Sequence, residues 1–404
     1  MKNAYIIDGT RSAIGNFKGQ LAGVRTDDLI ASVIKSLMAK NPLIPAEKID
    51  DVIIGCANQA GEDNRNIARM ALLLAGLPVT IPGETVNRLC ASGMSSIAQA
   101  SRAIKSGEGE LFIAGGVEGM SRGPYVISKG ESGFDTTQKM YDSSFGWRFI
   151  NPEMEKMYGT EAMGKTAENL AEIFQISREE QDEFALNSQM KAKKAQESGR
   201  LEEEISDIII PQRKGDAIVI NKDEFIKPNS SLEILGKLKP SFVKENGSVT
   251  AGNSSGLNDG AAAVIVASED AVQEFGLKPL AKIVTSATTG CEPRIMGIGP
   301  VEATKLALKR ANLTLDQIDI IELNEAFAAQ SIAVLKELGI ANDDARVNVN
   351  GGAIALGHPL GMSGTRITYS AALELQKSGK KYALCTMCVG VGQGYAVILE
   401  NPNV

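Results

Sequence analysis

The chain has 404 residues, 43% of them hydrophobic and 23% charged, a balance that buries the cores of two or three domains and excludes a disordered polymer. A net charge of −7 and a pI near 5.2 provide no concentrated basic face for phosphate, which argues against a nucleic-acid partner. Five cysteines, an odd number, argue against a disulfide framework and for a reducing compartment.

In chain order, residues 1–10 hold too short an apolar run for a signal peptide and lack the Arg/Ser character of a transit peptide. No later segment reaches the roughly 18 apolar residues that span a bilayer, and the closing Asn-Pro-Asn-Val carries no organelle address. The expected location is the cytoplasm, away from membranes. Short β-branched runs at 5–8, 51–54 and 111–114 alternate with helical-period stretches at 27–39 and 95–105, the pattern of a sheet covered by helices. Residues from 120 to about 244 change texture, becoming rich in Glu, Lys and Gln. A long helix over 177–198 is predicted there, with Ser177 and Glu180 as a capping box. The chain returns to the core at Ser248 and closes a strand over 259–267. Strands at 281–285, 318–323 and 382–387, with helices at 301–311 and 364–376, then repeat the opening pattern. The expected division is a first core half (1–119 with 245–275), an inserted domain (120–244) and a second core half (276–404).

That repetition extends to individual residues. Asn87-Arg88-Leu89-Cys90-Ala91-Ser92-Gly93-Met94-Ser95 has a counterpart in Gly357-His358-Pro359-Leu360-Gly361-Met362-Ser363, so the only histidine of the chain stands where Cys90 stood one copy earlier. Ile49 opens a buried strand 41 residues before Cys90, and Ile318 opens its equivalent 40 residues before His358. Each reactive residue is followed by Gly-Met-Ser, a helix, Lys-Ser-Gly (105–107 and 377–379) and an apolar strand. Self-similarity on this scale describes a duplicated α/β unit.

Cys90 precedes a helix, where unpaired backbone amides and the positive dipole end favour thiolate. Small neighbours (Ala91, Ser92, Gly93) allow a substrate to approach, which separates it from an inert buried thiol. His358 ends the run from Asn348 to Pro359, read as an apolar strand bracketed by glycines. As the counterpart of Cys90 it is a candidate to take the thiol proton. Cys388 closes the last strand before Gly390, Gly392 and Gly394, whose backbone amides can stabilise an oxyanion, and its thiol suits acid/base work. A redox pair or a zinc half-site with Cys385 competes with that reading. Further zinc ligands are lacking, however, and residues three apart on a strand face opposite sides. Asn324, directly after a strand, is equally well a helix N-cap or a ligand contact at the strand's C-terminal end.

Together these runs resemble the thiolase family over the whole chain, the segment Thr250 to Gly260 included. The resemblance implies a five-layered αβαβα core of two pseudo-equivalent halves, an inserted loop domain that binds coenzyme A, and a homodimer or homotetramer. It implies no permanently bound cofactor and no metal, with 3-oxoacyl-CoA, acetyl-CoA and coenzyme A as the small-molecule partners. By motif, Cys90 is the acylated nucleophile, His358 its base and Cys388 the acid/base at the acetyl-CoA α-carbon. Asn324 holds a water that forms one oxyanion hole with His358, the amides of Cys90 and Gly390 form the second, and Met163 and Ser255 line the pantetheine.

The chain departs from the acetoacetyl-CoA-forming members, in which a histidine commonly stands where Ala162 precedes Met163. The stretches 55–66, 145–149 and 291–297 resemble instead members that cleave 3-oxoadipyl-CoA in aromatic-compound degradation. A distal carboxylate on that acyl chain calls for a cation, for which Arg148 is a candidate. The competing readings are an acetoacetyl-CoA or fatty 3-ketoacyl-CoA thiolase, a related ketosynthase-type condensing enzyme, which would lack Cys388, and a thiolase-fold protein that binds acyl-CoA or lipid without turnover. A papain-like protease does not fit a Cys/His pair that arises from duplication.

Overall fold

In the computed structural model, which describes residues 2–404, one continuous hydrogen-bonded sheet has ten strands, the two-residue strand Gly15–Asn16 and nine along its main path. They are β1 (Ala4–Arg11), β2 (Asp51–Gly55), β3 (Gly83–Val86), β4 (Leu111–Gly119), β5 (Asn258–Ser268), β6 (Ala281–Gly290), β7 (Ile320–Leu323), β8 (Tyr382–Val389) and β9 (Gln393–Glu400), ordered β7-β8-β9-β6-β1-β5-β4-β2-β3. The helices that position the site are α1 (Thr26–Lys40), α2 (Ile67–Leu74), α3 (Ser92–Ser106), α4 (Met163–Ile173), α5 (Arg178–Glu197), α6 (Gly299–Ala311), α7 (Ala328–Leu338) and α8 (Leu360–Ser378).

The duplication is visible in the pairing. β2-β4-β5-β1 and β7-β8-β9-β6 share one order and one sense, a parallel pair followed by two antiparallel ones. β3, parallel to β2, has its counterpart in the parallel bridge between Ile321 and Val347. The halves join where β1 meets β6, at Tyr5 with Lys282 and Ile6 with Ala281.

Side-chain alternation sends each half-sheet into two cores. One outer core packs α1 and α2 on Ile54, Ile113 and Ile265, and the other packs α6 and α7 on Leu323, Leu384 and Ile398. Between the half-sheets, α3 and α8 share a middle core through Ile97, Ile104, Ile367 and Leu375. The result is five layers, αβαβα. Each fully buried isoleucine of that middle layer contributes about 1.5–3 kcal/mol of transfer free energy. The two central helices cross where a Cβ on Gly93 would collide with the Gly361 carbonyl and Thr365, and one on Gly364 with Met94. Gly93 and Gly361 lie three residues beyond Cys90 and His358, so the Gly-Met-Ser repeats are the crossing itself, where only glycine lets the backbones approach. The Lys-Ser-Gly repeats are helix stops, with left-handed Gly107 at φ 82° and Gly379 at φ 64°.

Between β4 and β5 the chain runs out through α4, α5 and two short hairpins (Tyr125–Ile127 with Met140–Asp142, and Ile208–Ile210 with Ile218–Ile220). The capping box at Ser177 and Glu180 forms as expected. Two local readings change. The apolar run after Asn348 is a helical turn, Ala353–Leu356, because extended Gly352 and left-handed Gly357 (φ 104°) leave room for one turn, and four apolar residues do not distinguish the two periods. Asn324 caps nothing: α7 begins four residues later, with Phe327 at the N-cap position and no side-chain cap bond. Among the described residues, no helix is long and apolar enough to cross a membrane.

Candidate active site

The site gathers at the ends of β7 and β8 and at the starts of α3 and α8. Cys90 sits in a 3-10 turn (Leu89–Ala91) that runs into α3. Leu89 before it is left-handed at φ 45°, and Val391, in the turn after β8, at φ 63°. A bulky or β-branched residue in that region is strained, and here two such residues flank the reactive cysteines.

The helix start does not make Cys90 a resting thiolate. Burial pushes its thiol up to about 11, and the backbone N–H groups of Gly390 and of Cys90 itself offset only part of that cost. The expectation of a thiolate stabilised by the helix N-terminus is corrected accordingly: desolvation outweighs the amides, so the nucleophile needs a base. The same two amides converge on the sulfur, which places Gly390 against Cys90.

His358 is 5% exposed, and its main-chain N–H donates to Asn258 Oδ1 at 2.9 Å. Nδ1 lies 2.6 Å from Ser363 Oγ, whose own hydroxyl donates to Pro359 O at 2.8 Å. With the hydroxyl hydrogen already committed, Ser363 can only accept, so the network assigns the ring proton to Nδ1. Nε2 is left with its lone pair, 3.4 Å from Asn324 Nδ2. Burial first, and the Arg366 charge second, push the imidazole down to about 3, so it stays neutral at physiological pH. The histidine is thus a held, unprotonated base.

Asn324 is fully buried, and its main-chain N–H donates to Thr386 O at 3.0 Å. Its Oδ1 has no partner among the described residues. Glu325 locks the turn beyond it by accepting from Ser188 Oγ (2.6 Å), Asn348 Nδ2 (2.7 Å) and Ile354 N (3.2 Å), a clamp that joins α5, the loop before His358 and the end of β7. Ser255 fastens the segment after Val249 to this turn, donating N–H and Oγ–H to Ala326 O, both at 3.0 Å.

Cys388, 1% exposed, lies close enough to Cys90 and Cys291 for their charges to add to the burial that raises its thiol. It faces the outer core while Cys385 faces the middle layer, donating to Ile367 O at 3.6 Å. That disposes of a redox pair, and all five cysteines are free. Met163, half-exposed at the first turn of α4, lies 3.9 Å from where a Cβ on Gly390 would stand. Arg148 is elsewhere engaged, donating to Ser143 O at 3.2 Å and Asn58 Oδ1 at 3.0 Å.

Sequence reasoning did not single out Ser363, Asn258, Glu325 or Glu118. Buried Glu118 accepts from Ala57 N, Asn58 N and Gly361 N, tying the first turn of α8 to the end of β4, and burial raises its carboxyl to about 7. Three of these lay inside or beside motifs already noted. The partners they meet, 4 to 243 residues away in the chain, carry no signal of their own in the sequence.

Chemically, the arrangement offers a protonated thiol, a neutral base, a second thiol and two groups of N–H donors. His358→Ala should slow iodoacetamide alkylation of Cys90 at pH 7 by roughly 10²-fold and move its pH midpoint toward 11. Mass spectrometry of the Cys90 peptide reads both, and alkylation unchanged by the substitution would remove His358 as the base.

Comparison with known proteins supplies the remaining facts. The family model described as "Thiolase, N-terminal domain" matches residues 4–270, and "Thiolase, C-terminal domain" matches residues 277–401. The chain is 58% identical over 401 residues to a beta-ketoadipyl-CoA thiolase of Acinetobacter baylyi, covering 99% of this chain and 100% of that protein. It is 56% identical to the 3-oxoadipyl-CoA/3-oxo-5,6-dehydrosuberyl-CoA thiolase of Escherichia coli, with 99% and 100% covered. Among solved structures it resembles the Bacillus anthracis acetyl-CoA acetyltransferase (41% identity, TM-score 0.92) and human mitochondrial 3-ketoacyl-CoA thiolase (40%, TM-score 0.91), with 99% of each chain covered.

Proposed function

The chain belongs to the thiolase family, and on that premise we propose that it cleaves 3-oxoadipyl-CoA with coenzyme A into succinyl-CoA and acetyl-CoA, reversibly, through an acyl-enzyme on Cys90. The observations that support the chemistry are the proximity of Cys90 to Cys388 and to the Gly390 amide, and the His358–Asn324 pair at the start of α8, the helix that packs against the Cys90 turn.

His358 Nε2 takes the Cys90 proton, and the sulfur attacks the keto carbon. The bond to the α-carbon then breaks, its electron pair passes to the departing acetyl-CoA enolate, and Cys388 delivers a proton to that carbon. Coenzyme A, the co-substrate, next gives its thiol proton to the Cys388 thiolate and takes the acyl group, and the departing Cys90 sulfur recovers the proton held on His358. Charge develops on oxygen in both halves of the cycle. The amides of Cys90 and Gly390 form one donor set, and Asn324 with His358 forms the other, a water on Asn324 completing it. The unpartnered Oδ1 of Asn324 and its nearby Nδ2 suit that role.

Ser255 and Met163 line the pantetheine in this reading, and residues 120–244 act as the loop domain over coenzyme A. In the same reading the protein works as a homodimer or homotetramer in the cytoplasm. The substrate reading is supported by full-length identities of 56–58% to proteins named for it, against 40–41% to the two structural relatives.

The test is kcat/KM for thiolysis of 3-oxoadipyl-CoA, acetoacetyl-CoA and a medium-chain 3-oxoacyl-CoA on one preparation. Preference for 3-oxoadipyl-CoA by about 10-fold or more is expected, since a charge-assisted hydrogen bond to the distal carboxylate is worth that much. Preference for either other substrate would move the protein to general thiolase metabolism and leave the mechanism intact.

A further inference from the structure

We infer that Arg294, a largely exposed side chain on the rim of a narrow cavity beside the Gly390 turn, is the cation that receives the distal carboxylate of the acyl chain. The inference rests on the 3-oxoadipyl-CoA reading above and deepens it. The cavity is bounded by Trp147, Glu161, Met163, Pro293, Arg294 and Val391.

It borders the catalytic turn. Val391 follows Gly390 directly, and Met163 Sδ is 3.9 Å from the Cβ position of Gly390. Pro293 and Arg294 are fastened to the same turn, because Cys291 N–H donates to Gly392 O at 2.8 Å and Pro293 Cα lies 3.0 Å from the Cβ position of Gly392. A four-carbon acyl group on Cys90 is short, so its carboxylate must find its cation near that turn.

The guanidinium is held and incompletely used. Arg294 gives Nε–H (3.1 Å) and one Nη2–H (2.7 Å) to a single oxygen, Oε1 of Glu161. A guanidinium has five N–H donors, so three remain, and no other acceptor among the described residues takes them. Glu161 Oε2 accepts from Asn169 Nδ2 at 2.8 Å, the same amide donates to Arg294 O at 2.9 Å, and Trp147 Nε1 donates to Glu161 O at 3.1 Å. These bonds orient the fork and leave an edge free for a second carboxylate, the bidentate geometry arginine suits. Arg148, the cation singled out from sequence, donates to Ser143 and Asn58 and does not line this cavity.

The experiment compares 3-oxoadipyl-CoA with 3-oxohexanoyl-CoA, which has the same chain length and no distal charge, in wild type, Arg294→Gln and Arg148→Gln. In wild type the ratio of kcat/KM values should favour the dicarboxylic substrate. Arg294→Gln should lower that ratio by about 10- to 100-fold, chiefly through KM, as loss of a charge-assisted contact predicts. A ratio within about twofold of wild type, or a collapse in Arg148→Gln instead, overturns the assignment. A wild-type enzyme with no preference overturns the substrate reading and this inference together, whereas a wild-type preference that survives Arg294→Gln overturns the inference alone.

Discussion

Cys90→Ala should leave no acyl-enzyme and reduce thiolysis on the order of 10⁴-fold or more, because residues that act as one unit lose nearly all catalysis when the nucleophile goes. No other thiol can replace it. Cys388 faces the outer core from the end of β8, Cys385 is buried in the middle layer, and Cys56 is buried beside Asp63 and Glu118. Cys291 neighbours Cys388, but burial and Glu292 raise its thiol to about 11 and no histidine serves it, since the chain has one. The measurement is intact-protein mass spectrometry after incubation with acyl-CoA, together with the thiolysis rate. Retained acylation at another residue would sink the mechanism. The fold should survive, since the change removes one sulfur from a half-buried position.

Cys388→Ala should separate the two half-reactions. Acylation of Cys90 by an acyl-CoA needs the His358 base and the Cys90 and Gly390 amides, none of which the substitution touches, so the acyl-enzyme still forms. Protonation and deprotonation at the α-carbon lose their only positioned acid, and turnover should fall by about 10²–10⁴-fold, the usual worth of general acid–base catalysis. Deuterium exchange at the methyl group of acetyl-CoA is the specific readout. Normal exchange in the variant would remove Cys388 from that role. Burial raises its thiol, as do the neighbouring cysteines, which keeps it a proton donor at neutral pH. Its thiolate forms as that proton is delivered to the α-carbon, and is what takes the proton back in the reverse direction.

Much of this architecture was legible in the chain. The two copies of Gly-Met-Ser and Lys-Ser-Gly announced a duplicated unit, and their physical meaning is a close approach of backbones, at Gly93 to the other central helix and at Gly361 to the carbonyls of Gly55 and Val117, and left-handed stops at Gly107 and Gly379. A strand's period of two already set Cys385 and Cys388 on opposite faces. Such features depend on local geometry, which repeats along the chain and leaves a pattern in it.

What the chain could not disclose was decided by packing. The proton on His358 is assigned to Nδ1 because Ser363 spends its hydroxyl on Pro359 O, and Nε2 meets Asn324 from 34 residues away. Cys90 remains a thiol because the assembled layers desolvate it more than its helix start can offset. Asn324 reads as a cap until the helix is seen to begin at Ala328, and only the packing shows that Arg294 lines the cavity beside the Gly390 turn and Arg148 does not. Composition, motif and period thus determined the family, the duplicated fold and the reactive residue types. Protonation state, the free edge of Arg294 and the clamp through Glu325 arise from long-range contacts and desolvation, which exist only once the five layers have closed.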